Sequence, residues 1–308
     1  MSQHTTEITE AIKLVKKASE ITEWFRKKGF ENLKKKDRSP VSIADFASQI
    51  YIINQLRQKF PDDQIFAEEN EVDLINDLAL NRINECFEEL NVGEIEDLKS
   101  ELQYRGQNSE RQWSIDPIDG TAGYMEGLTY AIGIGFMINS IPMKCAISVP
   151  DHDDNGEAIF IAEKNNGAKA SYGGKDFIPL HVSKQNKVTE ARLCQSLHYD
   201  LPWVSQFAEK IGIKKRIKLD SMAKFCMIAE GRYELYIKPA FGLVLSSWDY
   251  CPGDLLVREA GGKVTDLDEE PLKYDKDKCI LRGPGIIVSN GILHDQVSVF
   301  IRNNFFSV

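Results

Sequence analysis

Two aspartates three residues apart, Asp116 and Asp119, lie in the run Ser114-Ile115-Asp116-Pro117-Ile118-Asp119-Gly120-Thr121. Carboxylates held by a proline and released by a glycine can converge on a hard divalent cation. Magnesium takes oxygen ligands in a near-octahedral array and keeps waters that a substrate can replace. Gly120 lets the backbone turn tightly, so that the N–H groups after it can face a phosphate. The same letters also spell a plain Asp-Gly turn with solvated acids, the ordinary meaning of an isolated DxxDG. Other acids change that balance. Glu68 and Glu69 follow a short apolar run, a position that puts a carboxylate at the edge of a sheet. Asp249, in Ser247-Trp248-Asp249-Tyr250-Cys251-Pro252-Gly253, sits just before the apolar helical residues Leu255, Leu256, Val257 and Ala260. Asp45 falls in the first turn of a helix beginning near Ile43. Singly these are a solvated pair, an N-cap and a dipole partner.

The elements that must bring these acids together are legible from periodicity. Ile8, Ile12, Val15, Ala18, Ile21 and Phe25 recur at helical spacing and predict an opening helix over 7–28. A charged connection, Lys34 to Pro40, leads to a second amphipathic helix marked by Ile43, Phe46, Ala47, Ile50, Ile53 and Leu56. Phe60-Pro61-Asp62-Asp63 stops it, and Gln64–Ala67 reads as a short strand ending at Glu68. Residues 71–110 predict one or two surface helices and carry no assigned chemistry. Tyr130–Ile138 and Lys144–Val149 read as paired strands across an Asn139–Pro142 turn. Glu157–Ala162 and Gly167–Ser171 form a second hairpin through Asn165-Asn166-Gly167. A boundary is expected in the Asp- and Gly-rich stretch 150–156, dividing an α+β unit over 1–152 from an α/β unit over 153–308. Gly285–Ser289 reads as a buried strand. Mixed α and β in packed layers is the fold class.

Composition narrows the function. A net charge of −9 over 308 residues, with no long basic stripe, argues against a nucleic-acid polymer as partner. The basic cluster Lys34-Lys35-Lys36-Asp37-Arg38 reads as a solvated loop. Cys86, Cys145, Cys194, Cys226, Cys251 and Cys279 are widely spaced, without CxxC or zinc spacing. His4, His152, His181, His198 and His294 show no HExxH pair, which argues against a zinc hydrolase. The first residues are polar, and no apolar run is long enough to span a bilayer. A reduced, cytoplasmic compartment without membrane attachment is the expectation, and oligomeric state is left open. Met222 and Phe225 read as helix core residues.

In this order, Asp45, Glu68-Glu69, the DPIDGT motif and Trp248-Asp249 followed by Arg258-Glu259-Ala260-Gly261-Gly262 resemble the inositol monophosphatase superfamily of lithium-sensitive, magnesium-dependent phosphatases. The resemblance runs from about residue 10 to about residue 290, weakest over 71–110 and 185–215. It implies a layered α-β-α-β-α sandwich. Ser39-Pro40-Val41-Ser42-Ile43-Ala44-Asp45 and Leu219-Asp220-Ser221-Met222-Ala223-Lys224 are most similar to the 3′(2′),5′-bisphosphate nucleotidase branch, which converts adenosine 3′,5′-bisphosphate to AMP. By this resemblance Glu68, Asp116 and the Ile118 carbonyl would bind one magnesium ion, and Asp116, Asp119 and Asp249 a second. A third, looser ion would lean on Glu68. Thr121, oriented by Asp45, would take the proton of the attacking water, and the N–H groups of Gly120 and Thr121 would cradle the phosphate. Ser221, Lys224, Lys238 and His198 would face the substrate, although His198 also reads as a surface histidine. Lys238 stands where the branch tends to carry arginine, keeping the charge but losing bidentate phosphate geometry. An inositol monophosphatase or inositol polyphosphate 1-phosphatase is therefore the alternative.

Overall fold

The computed structural model describes residues 6–29, 32–35, 39–153, 156–241, 244–275, 277 and 280–305. The chain opens with α1 (Thr6–Lys28), the hairpin β1 (Asn32–Lys34) and β2 (Pro40–Ser42), α2 (Ile43–Lys59) and β3 (Gln64–Ala67). Next come α3 (Asp77–Glu89), α4 (Leu98–Gln103), β4 (Arg111–Asp119) and the short α5 (Thr121–Met125). Four strands follow: β5 (Ala131–Ile138), β6 (Ile141–Asp153), β7 (Gly156–Glu163) and β8 (Ala168–Tyr172), with a final short β9 (Ile178–Pro179). The remainder is β10 (Arg192–Gln195), α6 (Pro202–Ile211), β11 (Lys215–Lys218), α7 (Ala223–Ala229), β12 (Leu235–Pro239), β13 (Leu245–Ser246) and α8 (Ser247–Glu259). It closes with β14 (Lys263–Asp266), β15 (Lys273–Tyr274), β16 (Ile280–Arg282), β17 (Gly285–Ser289) and α9 (His294–Phe305).

Strand alternation decides the layering. On β5, Ile132, Ile134 and Phe136 pack with α1 and α2, whereas Ala131 and Met137 face the other way. The same alternation runs along β7, with Ile159 and Ile161 on the α1/α2 side and Ala158, Phe160 and Ala162 opposite. These strands belong to a seven-stranded sheet in the order β3-β4-β5-β6-β7-β8-β9, antiparallel except for the β3–β4 pair. Its second face packs on α7 and α8, which in turn rest on Cys194, Tyr236, Ile286 and Val288 of a five-stranded sheet ordered β11-β10-β12-β17-β14. The far face of that sheet, through Leu193, Leu235, Ile237 and Ile287, is covered by α6 and α9. Helices, sheet, helices, sheet, helices is the expected α-β-α-β-α sandwich. The division expected after residue 152 passes through the β6–β7 hairpin, where Val149 pairs with Ala158. The change from one sheet to the other comes between Pro179 and Arg192. Helices α3 and α4 account for the surface helices expected over 71–110, and their Ile83, Phe87 and Leu102 pack onto the α1/α2 core. Cys86, Cys145, Cys194, Cys226 and Cys251 are buried outside any disulfide; Cys279, His4 and the first five residues lie outside the described residues.

Helix α8 runs between the two sheets and approaches β5 closely because Gly133 and Gly135 present no side chain to it. A Cβ on Gly135 would stand 2.7 Å from Cys251 Sγ and one on Gly133 3.4 Å from Pro252 Cγ, both on α8, and the latter would also lie 2.4 Å from Sδ of Met222 in the turn before α7. Gly253 makes room for a different neighbour, α7, where a Cβ would meet the Phe225 ring at 2.3 Å. Packed interiors have no room for such atoms. Gly135→Val is expected to destabilise the fold by about 1–3 kcal/mol through overpacking. Thermal denaturation of the variant measures this, and an unchanged melting temperature would rule out the close approach of α8.

Candidate active site

Asp116 and Asp119 both belong to β4, and in a regular strand residues an odd number apart point to opposite faces. Here Asp116 pairs with Gly133 and Asp119 with Ala131, so three steps along β4 match two along β5. This bulge turns both carboxylates to one side. Pro117, which has no N–H to give a ladder, sits within it. Gly120 then adopts φ +88°, the left-handed conformation that caps β4 and starts α5 at Thr121. There is no room for a side chain there either, since a Cβ would lie 3.1 Å from that of Ser221.

Asp249, in the first turn of α8, completes a cluster in which carboxylate oxygens of Asp116, Asp119 and Asp249 all lie within 4.8 Å of one another. Glu68 follows β3, held by its N–H donating to the Ile115 carbonyl at 3.3 Å, and its carboxylate meets that of Asp116. Burial, then the charges of their neighbours, pushes Asp116 and Asp249 well above the usual carboxylate range. Burial raises Asp119 to about 6. Buried carboxylates in this condition either hold protons or share a cation. The donors are all hard oxygens, the three clustered carboxylates with that of Glu68 beside them, which fits a hard divalent cation.

Beside the cluster, the Thr121 hydroxyl lies 3.2 Å from Asp45 Oδ1 and 3.0 Å from the Ile118 carbonyl. The other Asp45 oxygen accepts the Ser42 N–H at 2.8 Å and the Ser42 hydroxyl at 2.6 Å. Burial raises this carboxyl to about 7. Asp119 accepts the backbone N–H of Met222, which ties β4 to the turn before α7. In that turn Ser221 takes φ +71° and its hydroxyl accepts the Ala223 N–H at 3.2 Å. Lys224 is buried, with Nζ donating to the Leu219 carbonyl at 3.3 Å and lying 5.2 Å from the Tyr236 ring centroid. Burial pulls its ammonium below the usual lysine range, as it does for Lys238 on β12. Glu68, Asp116, Ile118, Asp119, Gly120, Thr121, Ser221, Lys224, Lys238 and Asp249 all line one cavity of about 650 Å³. Met222 and Phe225 are core residues, as expected, that also form its floor.

His198 gains two partners, and one expectation, at Lys35, changes. His198 is not among the cavity's lining residues; one ring nitrogen meets Asp220, and the other lies 3.1 Å from Glu126 Oε1. It pins the loop after β10 to the end of α5. Lys35, read as part of a solvated cluster, has a largely buried side chain whose ammonium sits 2.9 Å from Glu68 and 2.7 Å from Glu69. Lys36, Asp37 and Arg38 lie outside the described residues. Lys35 escaped sequence reading because its two lysine neighbours mask any pattern; the buried Glu69, adjacent to Glu68, was its only signal. Asp220 was also missed as an organiser. It accepts the N–H groups of Leu197 and His198 at 3.0 and 3.2 Å.

A profile of the inositol monophosphatase family matches residues 4–298. The chain belongs to that family. Among curated members, a 3′(2′),5′-bisphosphate nucleotidase of Schizosaccharomyces pombe is 29% identical over 93% of this chain and 92% of its own. One from Dictyostelium discoideum is 29% identical over 89% of each chain. Solved inositol monophosphatase folds align along nearly the whole length. The Thermotoga maritima IMPase superposes with a TM-score of 0.71 at 21% identity, covering 97% of this chain and 98% of its own. The Bartonella henselae extragenic suppressor protein suhB gives 0.72 at 20% identity, over 98% and 100%. Inositol monophosphatase family members are metal-dependent, in keeping with a carboxylate cluster in which Asp116 is buried and Asp119 and Asp249 are half-buried. Among the described residues no helix is long and apolar enough to cross a membrane.

The charge state of the cluster makes two outcomes measurable. A carboxyl raised in the folded state binds more protons there than in the unfolded chain, so stability falls as pH rises past the unfolded value. With Asp119 at about 6 and Asp45 at about 7, cation-free protein should lose thermal stability between about pH 4 and about pH 7. Magnesium should flatten or reverse that slope, and parallel melting profiles in EDTA and magnesium would remove the cation from this site. Lys35→Met leaves Glu69 buried without its ammonium and is expected to cost about 3–5 kcal/mol in EDTA. Denaturant titrations would show it, and a stability loss below about 1 kcal/mol, the level of a surface pair, would return Lys35 to the solvent.

Proposed function

We propose that the protein is a magnesium-dependent phosphomonoester hydrolase that removes the 3′-phosphate of adenosine 3′,5′-bisphosphate, giving AMP and phosphate. The observation that carries this reading is the Thr121–Asp45 contact of 3.2 Å beside the three-carboxylate cluster. A metal-binding regulator would need the carboxylates but not a buried hydroxyl–carboxyl pair next to them. The nucleotidase names of the curated relatives support the substrate.

Glu68, Asp116 and the Ile118 carbonyl would hold one magnesium ion; Asp116, Asp119 and Asp249 would hold a second, with a third leaning on Glu68. Bound there, magnesium supplies neutralising charge for a phosphoryl group in transfer. The chain's own groups do the rest. Thr121 Oγ takes a proton from the attacking water and passes its own to Asp45, whose raised carboxyl is matched to receiving it near neutral pH. The water oxygen bonds to phosphorus as the bond to the 3′ oxygen breaks; that oxygen takes a proton from solvent water, and Asp45 returns the proton it received to solvent, so one water is consumed overall. The N–H groups of Gly120 and Thr121 cradle the phosphate oxygens. Ser221 and Lys224 hold the nucleotide from the second side of the cavity, and Lys238 supplies the charge that a second phosphate needs. The compartment proposed is the cytoplasm, and lithium inhibition at millimolar concentration or below belongs to the same reading.

Phosphate release from adenosine 3′,5′-bisphosphate, inositol 1-phosphate and inositol 1,4-bisphosphate tests the substrate. The nucleotide should be turned over fastest; equal or faster turnover of an inositol would assign the site to inositol phosphates. Asp119→Asn should abolish turnover while the circular-dichroism spectrum stays native, and retained activity would remove the two-metal assignment.

A further inference from the structure

The cavity has two ends of unlike chemistry. One is the carboxylate cluster with Thr121. The other carries apolar surface at its rim: Tyr199 is 53% exposed and Val244 70% exposed, and both line the cavity. Single exposed apolar residues are ordinary, but two on the lip of one cavity offer a surface that a flat aromatic base covers more fully than a hydroxyl-bearing inositol ring. The Tyr199 ring is also held in a defined place. Lys238 Nζ lies 5.7 Å from its centroid, within the range of a cation over an aromatic face. Lys238 itself is half-buried in the cavity wall, so one ammonium both supports the ring and points its charge into the site. The backbone beneath this arrangement is fixed by Asp220, which accepts the N–H groups of Leu197 and His198 immediately before Tyr199.

We infer that Tyr199, backed by Lys238, is the platform on which the base of a nucleotide substrate stacks, with Val244 against the edge of the base. This rests on the nucleotidase reading above and adds the residue that separates nucleotides from base-free phosphates. A base stacked there leaves its second phosphate beside the same lysine, so that platform and anion contact act together.

The experiment compares adenosine 3′,5′-bisphosphate with a base-free pentose 3,5-bisphosphate, which keeps both phosphates and the sugar. Tyr199→Ala should lower kcat/KM for the nucleotide by about tenfold, mainly through KM, the scale of losing one base–aromatic stack. The ratio of nucleotide to base-free turnover should fall with it, and Tyr199→Phe or Tyr199→Trp should restore the ratio. An equal loss on both substrates, or no loss on either, overturns the platform while leaving the nucleotidase reading standing. If the unmodified protein releases no phosphate from the nucleotide, both readings fall together.

Discussion

Carboxylates crowded at the wall of a cavity, one buried and two half-buried, repel one another, and the rest of this fold is arranged around holding them there. Two unit charges within 4.8 Å repel by at least roughly 3–4 kcal/mol even at an effective dielectric constant near 20. Burial adds a desolvation cost to each. The fold answers with fixed positive charge at the edges: Lys35 against Glu68 and Glu69, and Lys224 near Asp119. Those ammoniums do not bring Asp116, Asp119 or Asp249 back to ordinary acidity. The remaining imbalance is what a divalent cation removes, so the site's electrostatic instability and its affinity for metal are the same property.

Holding that imbalance in place requires rigid supports from distant parts of the chain. The bulge in β4 turns Asp116 and Asp119 to one side, and its neighbour β5 sits inside the seven-stranded sheet rather than at an edge. Asp249 arrives more than a hundred residues later, on a helix packed against Gly133 and Gly135. The glycines on β5 and Gly253 on α8 set how near the carboxylates can come. The Met222 N–H on Asp119 and the close meeting of Gly120 with Ser221 stitch the same two portions together. A displacement of α8 would therefore alter the charge cluster and the wall of the cavity at once.

Much of this was legible before the fold was known, and the limits have physical causes. Helical spacing located α1 because it keeps an exposed face, whereas α2, buried all round from Ile43 to Ile53, was bounded by the Phe60-Pro61 stop. The hairpins at Asn139–Pro142 and at Asn165–Gly167 were marked by their turn residues. The bulge was not legible, because a strand's register is a property of the pair and not of Asp116–Asp119 alone. The division at residue 152 failed to follow the sheets for a related reason. Asp151, Asp153 and Gly156 look like a linker, yet they form the bend of a hairpin whose strands continue one sheet. Lys35 was hidden by the similar lysines around it, and what separates it from them is a contact with residues more than thirty positions away. His198 is polar and near the site in sequence order, but its ring nitrogens are taken up by Glu126 and by Asp220, and of this pair with Asp220 it is Asp220 that lines the cavity.

The chemistry and the selectivity are built on different kinds of structure. Asp116, Ile118 and Asp119 lie on a central strand, and Asp45, Thr121 and Asp249 lie in the first turns of helices. Small shifts there would cost both burial and charge balance. The cavity-lining residues inferred to face the organic part of a substrate lie on the outer wall: Tyr199 follows β10, Val244 precedes β13, and Lys238 stands near the end of β12. These positions bury less, and several have exposed side chains, so replacing one changes the local surface with little strain on the core. A lysine where the resemblance implies an arginine is tolerable on such a wall, provided a neighbouring ring fixes its direction. The contact between Lys238 and Tyr199 does that. A single lysine can thus stand in for part of the geometric order that a forked guanidinium carries within its own side chain.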